Sequence, residues 1–409
     1  MSVRRRVVIA GGGVAGVEAL LALHDMAGER AELTLLSPEP DFVMKPLLVE
    51  EPFGLGPAEQ RALEPLASEH GAQFVQRGLA RVDEGSSEVE LDDGSRLPYD
   101  HLVVCLGGRY RPALEGVTTF PFGDRPFDPD EVLDRAAASD HRLAFVVPAG
   151  VTWSLPLYEI ALMTQRRAAE RGIDATLALI TPEPGPLAVF GPAASAAIRE
   201  LLDARGIRLF ESSTVTDLGP SGINISPGGR ALGPAEVVAL PVMDGPAVEG
   251  LPADERGFIP IDEHARVRGA DRVYAAGDGA NFPIKQGGIA TQQADAAAAH
   301  IAHELGAASA PEPFHPVLRG KLLTGDESVH MRTDVAGGGG EGEVSPDRLW
   351  WPPEKISGRY LAAWLHHDIP SPDSEPPLPG LDVEVALPGE WHEQPMLDSF
   401  WTEPNGDRD

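Results

Sequence analysis

The chain has 409 residues, 42% of them hydrophobic, and its 63 acidic side chains against 33 lysines and arginines give a formal net charge of −30. That length holds two or three domains at a loose ~150 residues each, and so acidic a field repels nucleic-acid phosphates and anionic lipid, so neither is expected as a partner. The single cysteine, Cys105, excludes an internal disulfide and a redox dithiol pair, and the sequence has no run of about 18 apolar residues to cross a membrane.

In chain order, Arg4 to Arg6 run straight into a short apolar strand and a glycine loop. A secretory leader needs a longer apolar stretch, so a cytoplasmic location is expected. Val7 to Ala10 reads as a buried strand, Val14 to Met26 as a helix and Leu33 to Leu36 as a second strand, a βαβ unit. Val89 to Leu91, Asp92-Asp93-Gly94 and Leu97 to Tyr99 read as a hairpin, and Leu102 to Leu106 as a buried strand ending in Gly107-Gly108. A second α/β stretch follows. It has strand Leu143 to Val147, helix Leu157 to Arg171, strand Thr176 to Ile180, helix Ala193 to Ala204 and strand Val237 to Leu240. Strand Val273 to Ala276, then Gly277-Asp278-Gly279, leads into an alanine-rich helix from Ala290 to Leu305. Gly337 to Gly340 is a linker. Ile356 to His366 predicts a helix with Ile356, Tyr360, Leu361, Trp364 and Leu365 on one face. From Pro370 the chain is proline-rich and acidic, a tail that need not pack.

Two patterns carry chemistry. Gly11-Gly12-Gly13-Val14-Ala15-Gly16 is a G-x-G-x-x-G between strand and helix. Gly11 permits the tight turn, Gly13 lets a pyrophosphate approach, and Gly16 lets helix and strand pack closely, while the helix start offers free N–H groups. This predicts a dinucleotide site. The acid expected at the end of the second strand is replaced by Ser37, whose hydroxyl is a weaker ribose contact; Glu39 is the alternative. Asp278, directly after a buried strand and Gly277, suits a polyol, or else caps a turn. The helix after Gly288 suits an electron-rich ring edge.

With Phe42-Val43-Met44-Lys45-Pro46 and Tyr99 to Gly107, these motifs make residues 5–365 resemble the FAD-dependent pyridine nucleotide-disulfide oxidoreductases, closest to the branch of sulfide:quinone oxidoreductases and type II NADH dehydrogenases. The resemblance implies an α/β fold of two Rossmann-like dinucleotide-binding domains with a C-terminal capping segment. The FAD domain is expected at 1–115 plus 255–310, the second domain at 140–254, the capping segment at 311–369 and the tail at 370–409. It implies that Gly11, Gly12, Gly13, Val14, Ala15 and Gly16 hold the pyrophosphate. Gly107 flanks the flavin, Gly277 and Asp278 hold the ribityl chain, and Ser37, Lys45, Leu79, Gly288 and Ile289 complete the contacts. Lys45, Glu159 and Lys285 are the candidate catalytic residues. Each lysine reads equally as a surface charge, and Glu159 equally as a structural carboxylate. Gln292 and Gln293 are candidate quinone-pocket residues or ordinary helix polar groups.

Two departures narrow the chemistry. With one cysteine, the dithiol chemistry of the sulfide enzymes does not carry over; Cys105 reads as a buried core thiol. The second glycine loop is reduced to Gly150, followed by Trp153. NAD(P)H therefore binds there, or the second domain is structural and Trp153 and Tyr158 shape a pocket over the flavin. His300 and His303 lack a third ligand, so no metal is expected. The C-terminal helix is expected to pack over the FAD domain or form a dimer contact; contact with the inner membrane face is the less favoured alternative. The reading is an FAD-dependent oxidoreductase passing electrons from NAD(P)H or another small donor to a quinone-like or small acceptor. A reductase for an iron–sulfur or rubredoxin-like carrier, and a non-catalytic flavin-binding module, are the alternatives.

Overall fold

The structure, a computed structural model, describes residues 4–121, 127–314, 316–334, 342–350, 352 and 354–366. The Gly337 to Gly340 linker, Trp351, His367 and the tail from Pro370 lie outside them.

The apolar runs become strands where expected. β1 (Arg5–Ala10) is followed by α1 (Val14–Ala27), β2 (Ala31–Leu36), β3 (Gln73–Val75) and β4 (His101–Val104). Next come β5 (Thr118–Thr119), β6 (Arg142–Val146), α2 (Leu155–Glu170), β7 (Thr176–Ile180), α3 (Pro192–Ala204), β8 (Arg208–Phe210) and β9 (Glu236–Ala239). β10 (Val273–Ala275) and α4 (Gly287–Glu304) return the chain to the first unit. β11 (Val317–Leu322), β12 (Val329–Asp334), β13 (Glu343–Ser345) and α5 (Leu361–Leu365) follow.

β10-β4-β1-β2-β3 form one parallel sheet and β5-β9-β6-β7-β8 another. Strands buried on both faces explain why Val7 to Ala10 and Leu102 to Val104 are continuous apolar runs rather than alternating ones. α1 and α4 pack side by side on one face of the first sheet, with Leu20, Leu23, Ala294, Ala298 and Ile301 in one core. The alanines allow that close approach. On the other face lies an antiparallel sheet of Leu79–Asp83, Glu88–Leu91 and Arg96–Pro98, the expected hairpin with one added strand; Gly94 turns it at φ +80°. Arg109–Arg111 pairs with Val242–Asp244 between the two parallel-sheet units.

Three elements differ from expectation. α4 begins at Gly287, three residues before Ala290, because the Gln286 side chain caps it by accepting the Ile289 N–H at 2.9 Å. The helix expected over Ile356 to His366 is only α5. Gly358 is buried and pressed between Glu18 and Thr291, so the chain before Leu361 runs irregularly. The capping region contains a three-stranded antiparallel sheet, β11-β12-β13, that the sequence reading missed. Its buried Leu318, Leu322 and Met331 join the core around α2, and Gly320 leaves room for Phe190.

Candidate active site

A cavity of about 620 Å³ opens at the carboxyl ends of the first sheet and runs on between the second unit and the capping sheet. Gly11, Gly12, Gly13, Val14 and Ala15 form its floor. Gly11 has φ +123°, and a Cβ there would stand 2.1 Å from the Cys105 carbonyl oxygen, so only glycine fits. A Cβ on Gly16 would meet the Gly11 carbonyl oxygen at 1.8 Å, which is the close helix–turn packing the motif predicts. At Gly13 the same position meets nothing within 4 Å, leaving a cradle. Neither a side-chain cap nor a first-turn acid competes for the N–H groups at the start of α1.

Ser37 is buried beside this floor, with Oγ accepting the Glu39 N–H at 3.2 Å, so its own hydrogen remains to be donated. Both residues line the cavity, as do Lys45, Gly107, Gly277 and Asp278. Gly277 sits where a Cβ would be 3.2 Å from Ala15 Cβ and 3.5 Å from Ala290 Cβ, so the starts of α1 and α4 converge there. The Asp278 carboxylate lies within the fields of Lys285 and Lys45, which oppose the rise in its pKa that burial brings. Lys285 is buried. Its Nζ donates to the Ala280 carbonyl and lies 3.9 Å from the centre of the Phe258 ring. Burial pulls its pKa down to about 8, against Asp278 and Asp254.

Glu159, on α2, is fully buried at the far wall. Lys355 Nζ lies 2.6 Å from each of its carboxylate oxygens, and the Leu323 N–H donates to Oε1 at 2.9 Å. Burial raises the Glu159 pKa and Lys355 opposes the rise. Lys355 also lines the cavity, and nothing in the sequence near it marks it out. The same cavity is lined by the apolar side chains of Phe120, Trp153, Leu155, Phe282 and Ile356.

Other expected residues lie elsewhere. Gly288 and Ile289 are buried behind the lining, where Gln286, Gly287 and Ala290 stand instead. Leu79 begins the outer sheet and packs under the first parallel sheet, away from the lining. Gln292 bonds the Val317 N–H and carbonyl at 2.9 Å each, and Gln293 accepts the Gly277 N–H at 2.8 Å. Both tie elements together and do not line the cavity. Trp153 lines it and packs edge-on against Phe190, but Tyr158 does not. Its hydroxyl donates to Glu183 at 2.8 Å, beside Ser154 and Thr181 at 3.0 and 2.8 Å. Cys105 is buried and its thiol is pushed up to about 12, which keeps it protonated. His300 bonds Tyr274 at 3.0 Å, and no group of residues able to hold a metal occurs among the described residues. None of the described helices is long and apolar enough to cross a membrane.

A glycine floor at a helix start, with a carboxylate after a distant strand of the same sheet in the same cavity, is the arrangement of a dinucleotide-binding site. Residues 5–300 match the family model described as pyridine nucleotide-disulphide oxidoreductase, and the chain belongs to that family. It is 27% identical over 210 residues to a sulfide-quinone reductase of Aquifex aeolicus, a match spanning 49% of each chain. It is 26% identical over 300 residues to an NADH dehydrogenase-like protein of Mycobacterium tuberculosis, spanning 67% of this chain and 72% of the other. The solved sulfide:quinone oxidoreductase of Aquifex aeolicus superposes with a TM-score of 0.75 at 19% identity, covering 83% of this chain and 86% of that one, a likeness of fold. The protein is accordingly an FAD-dependent oxidoreductase. The open cradle at Gly13 and the cavity-lining carboxylate of Asp278 fit that cofactor.

Proposed function

We propose that the enzyme moves an electron pair from NAD(P)H or another small donor to a quinone-like or small acceptor in this cavity, without a redox disulfide. The observation that carries the reading is one continuous cavity, from the glycine floor past Asp278 to an apolar chamber walled by the Glu159–Lys355 pair. When bound, FAD supplies the electron-pair chemistry. In this reading Gly11 to Ala15 offer N–H groups to the diphosphate, with Gly16 packed behind them. Ser37 donates to a ribose hydroxyl, Asp278 accepts from the ribityl chain, and Gly107 and Gly277 let backbone come close. Lys45 and Lys285 place positive charge where negative charge grows on reduction. Glu159 and Lys355 hold a proton beside a chamber whose apolar walls keep water sparse. The reading divides the chain as 1–115 with 255–310, 140–254, and a cap at 311–369. It places the protein in the cytoplasm, touching membrane at most peripherally.

The test is an absorption spectrum of the purified protein followed by titration. The proposal expects a flavin band near ~450 nm that NADH or NADPH bleaches, and that a water-soluble quinone restores under anaerobic conditions. Failure of both nucleotides moves the donor to another small molecule. Failure of the quinone to reoxidise dithionite-reduced protein overturns the acceptor assignment.

A further inference from the structure

Behind the cavity wall, the segment 354–366 is fastened to the first unit through two carboxyl groups. Glu18, on α1, is fully buried; its Oε1 accepts the Tyr360 N–H at 2.9 Å and its Oε2 the Leu361 N–H at 2.6 Å. Asp295, on α4, faces Glu18 within hydrogen-bonding reach. Asp295 Oδ1 is sealed from water and has no hydrogen-bond partner among the described residues. Two ionised carboxylates side by side in such a place repel one another, and a single proton between them satisfies both. The fit is tight: a Cβ on Gly358 would stand 2.6 Å from Glu18 Oε2 and 2.7 Å from Thr291 Cγ2. The other charged or titratable groups facing the pair are Arg359, exposed beside Asp295, and Tyr360, whose hydroxyl donates to Asp25 at 3.1 Å. The same short segment carries Lys355 and Ile356 into the cavity wall.

We propose that Glu18 and Asp295 share one proton and form a pH-dependent latch that holds the segment bearing Lys355 and Ile356 against the flavin cavity, and that loss of this proton loosens it. The sign follows from the burial. Glu18 is held up to about 7 against an ordinary 4.5, chiefly by burial, and Asp295 well above its ordinary value for the same reason and by the charge of Glu18. The closed segment therefore binds the proton more tightly than the open one. Closure is fully supported below 4.5, weakens as pH climbs through about 7, where Glu18 ionises, and weakens further above that as Asp295, held well above its ordinary value, gives up the shared proton. Each proton raises the opening constant by up to about tenfold per pH unit wherever the closed form holds it and the open form has lost it.

The experiment is hydrogen exchange, read by mass spectrometry on the full-length holoenzyme and corrected for the intrinsic pH dependence of exchange. Peptides covering 355–366 are expected to lose protection by tenfold or more between pH 5 and 7 and to go on losing it above pH 7, while β6 in the second unit stays constant. Asp295→Asn, whose amide donates to the Glu18 carboxylate at every pH, flattens the profile; should that variant not fold, Asp295→Ala leaves one carboxyl and narrows the profile to the Glu18 step. Gly358→Ala exchanges fast at all pH values. A flat wild-type profile, a neutralised variant that follows the wild-type curve, or a parallel change in β6 overturns the latch.

Discussion

Lys355→Met removes the only cation bonded, among the described residues, to the fully buried Glu159. Glu159 then loses two contacts of 2.6 Å and keeps only the Leu323 N–H at 2.9 Å. Removing one partner of a buried ion pair costs about 3–5 kcal/mol, since the remaining charge is uncompensated. With about 2–4 °C of melting temperature per kcal/mol for a unit of 150–250 residues, the variant should melt roughly 6–20 °C lower at pH 8. The deficit must shrink in acid. Glu159 has a raised pKa, so its protonated form supports the fold fully below the ordinary 4.5, and that support is lost as pH rises through the folded value. Without Lys355 that folded value climbs further. The double variant Glu159→Gln with Lys355→Met removes both charges and should recover more than half of the loss. Melting curves by circular dichroism at pH 5 and pH 8 decide it. A fall of under about 2 °C at pH 8, or equal falls at both pH values, refutes the argument that burial makes this pair interdependent.

Gly11→Ala and Gly13→Ala should part company. The first puts a methyl into the Cys105 carbonyl at φ +123° and should cost roughly 3 kcal/mol or more of stability, read by urea denaturation. The second meets only open cavity, so the fold should stand while FAD affinity, measured by fluorescence, falls at least tenfold. Lys285 should discharge as pH rises through about 8, giving a transition in the bound flavin spectrum that Lys285→Met lacks. Because its pKa is lowered on folding, its linkage makes the protein gain stability between about 8 and the ordinary 10.5. Cys105 should resist thiol reagents in the native protein at pH 8 and react at once in denaturant; rapid native labelling contradicts its burial.

What was legible in the sequence was what local pattern encodes. β1, α1 and the glycine loop announce themselves because a doubly buried strand is continuously apolar and a tight turn admits only glycine. Asp278 was readable for the same reason, standing just past an apolar strand. The capping sheet was not. Val317 to Leu322 reads Val-Leu-Arg-Gly-Lys-Leu, and its buried Arg319 and Gly320 break the alternation that marks a strand. Of the two readings open for Gln292 and Gln293, local sequence could not choose, because the partners that occupy their amides, Val317 and Gly277, stand 25 and 16 residues away. Lys355 lay beyond local reading altogether, since its importance comes from a carboxylate 196 positions earlier.

That separation bears on how the molecule is made. During synthesis the second parallel sheet and α2 emerge long before Lys355, so Glu159 enters its core with no cation to meet it and must take up a proton or leave the core unfinished. Completion waits for the capping sheet and the strand of chain behind it, which also supply part of the cavity wall. The flavin pocket is thus a late product of biogenesis, and a ribosome-stalled chain ending before residue 355 should hold FAD weakly even with its glycine loop intact.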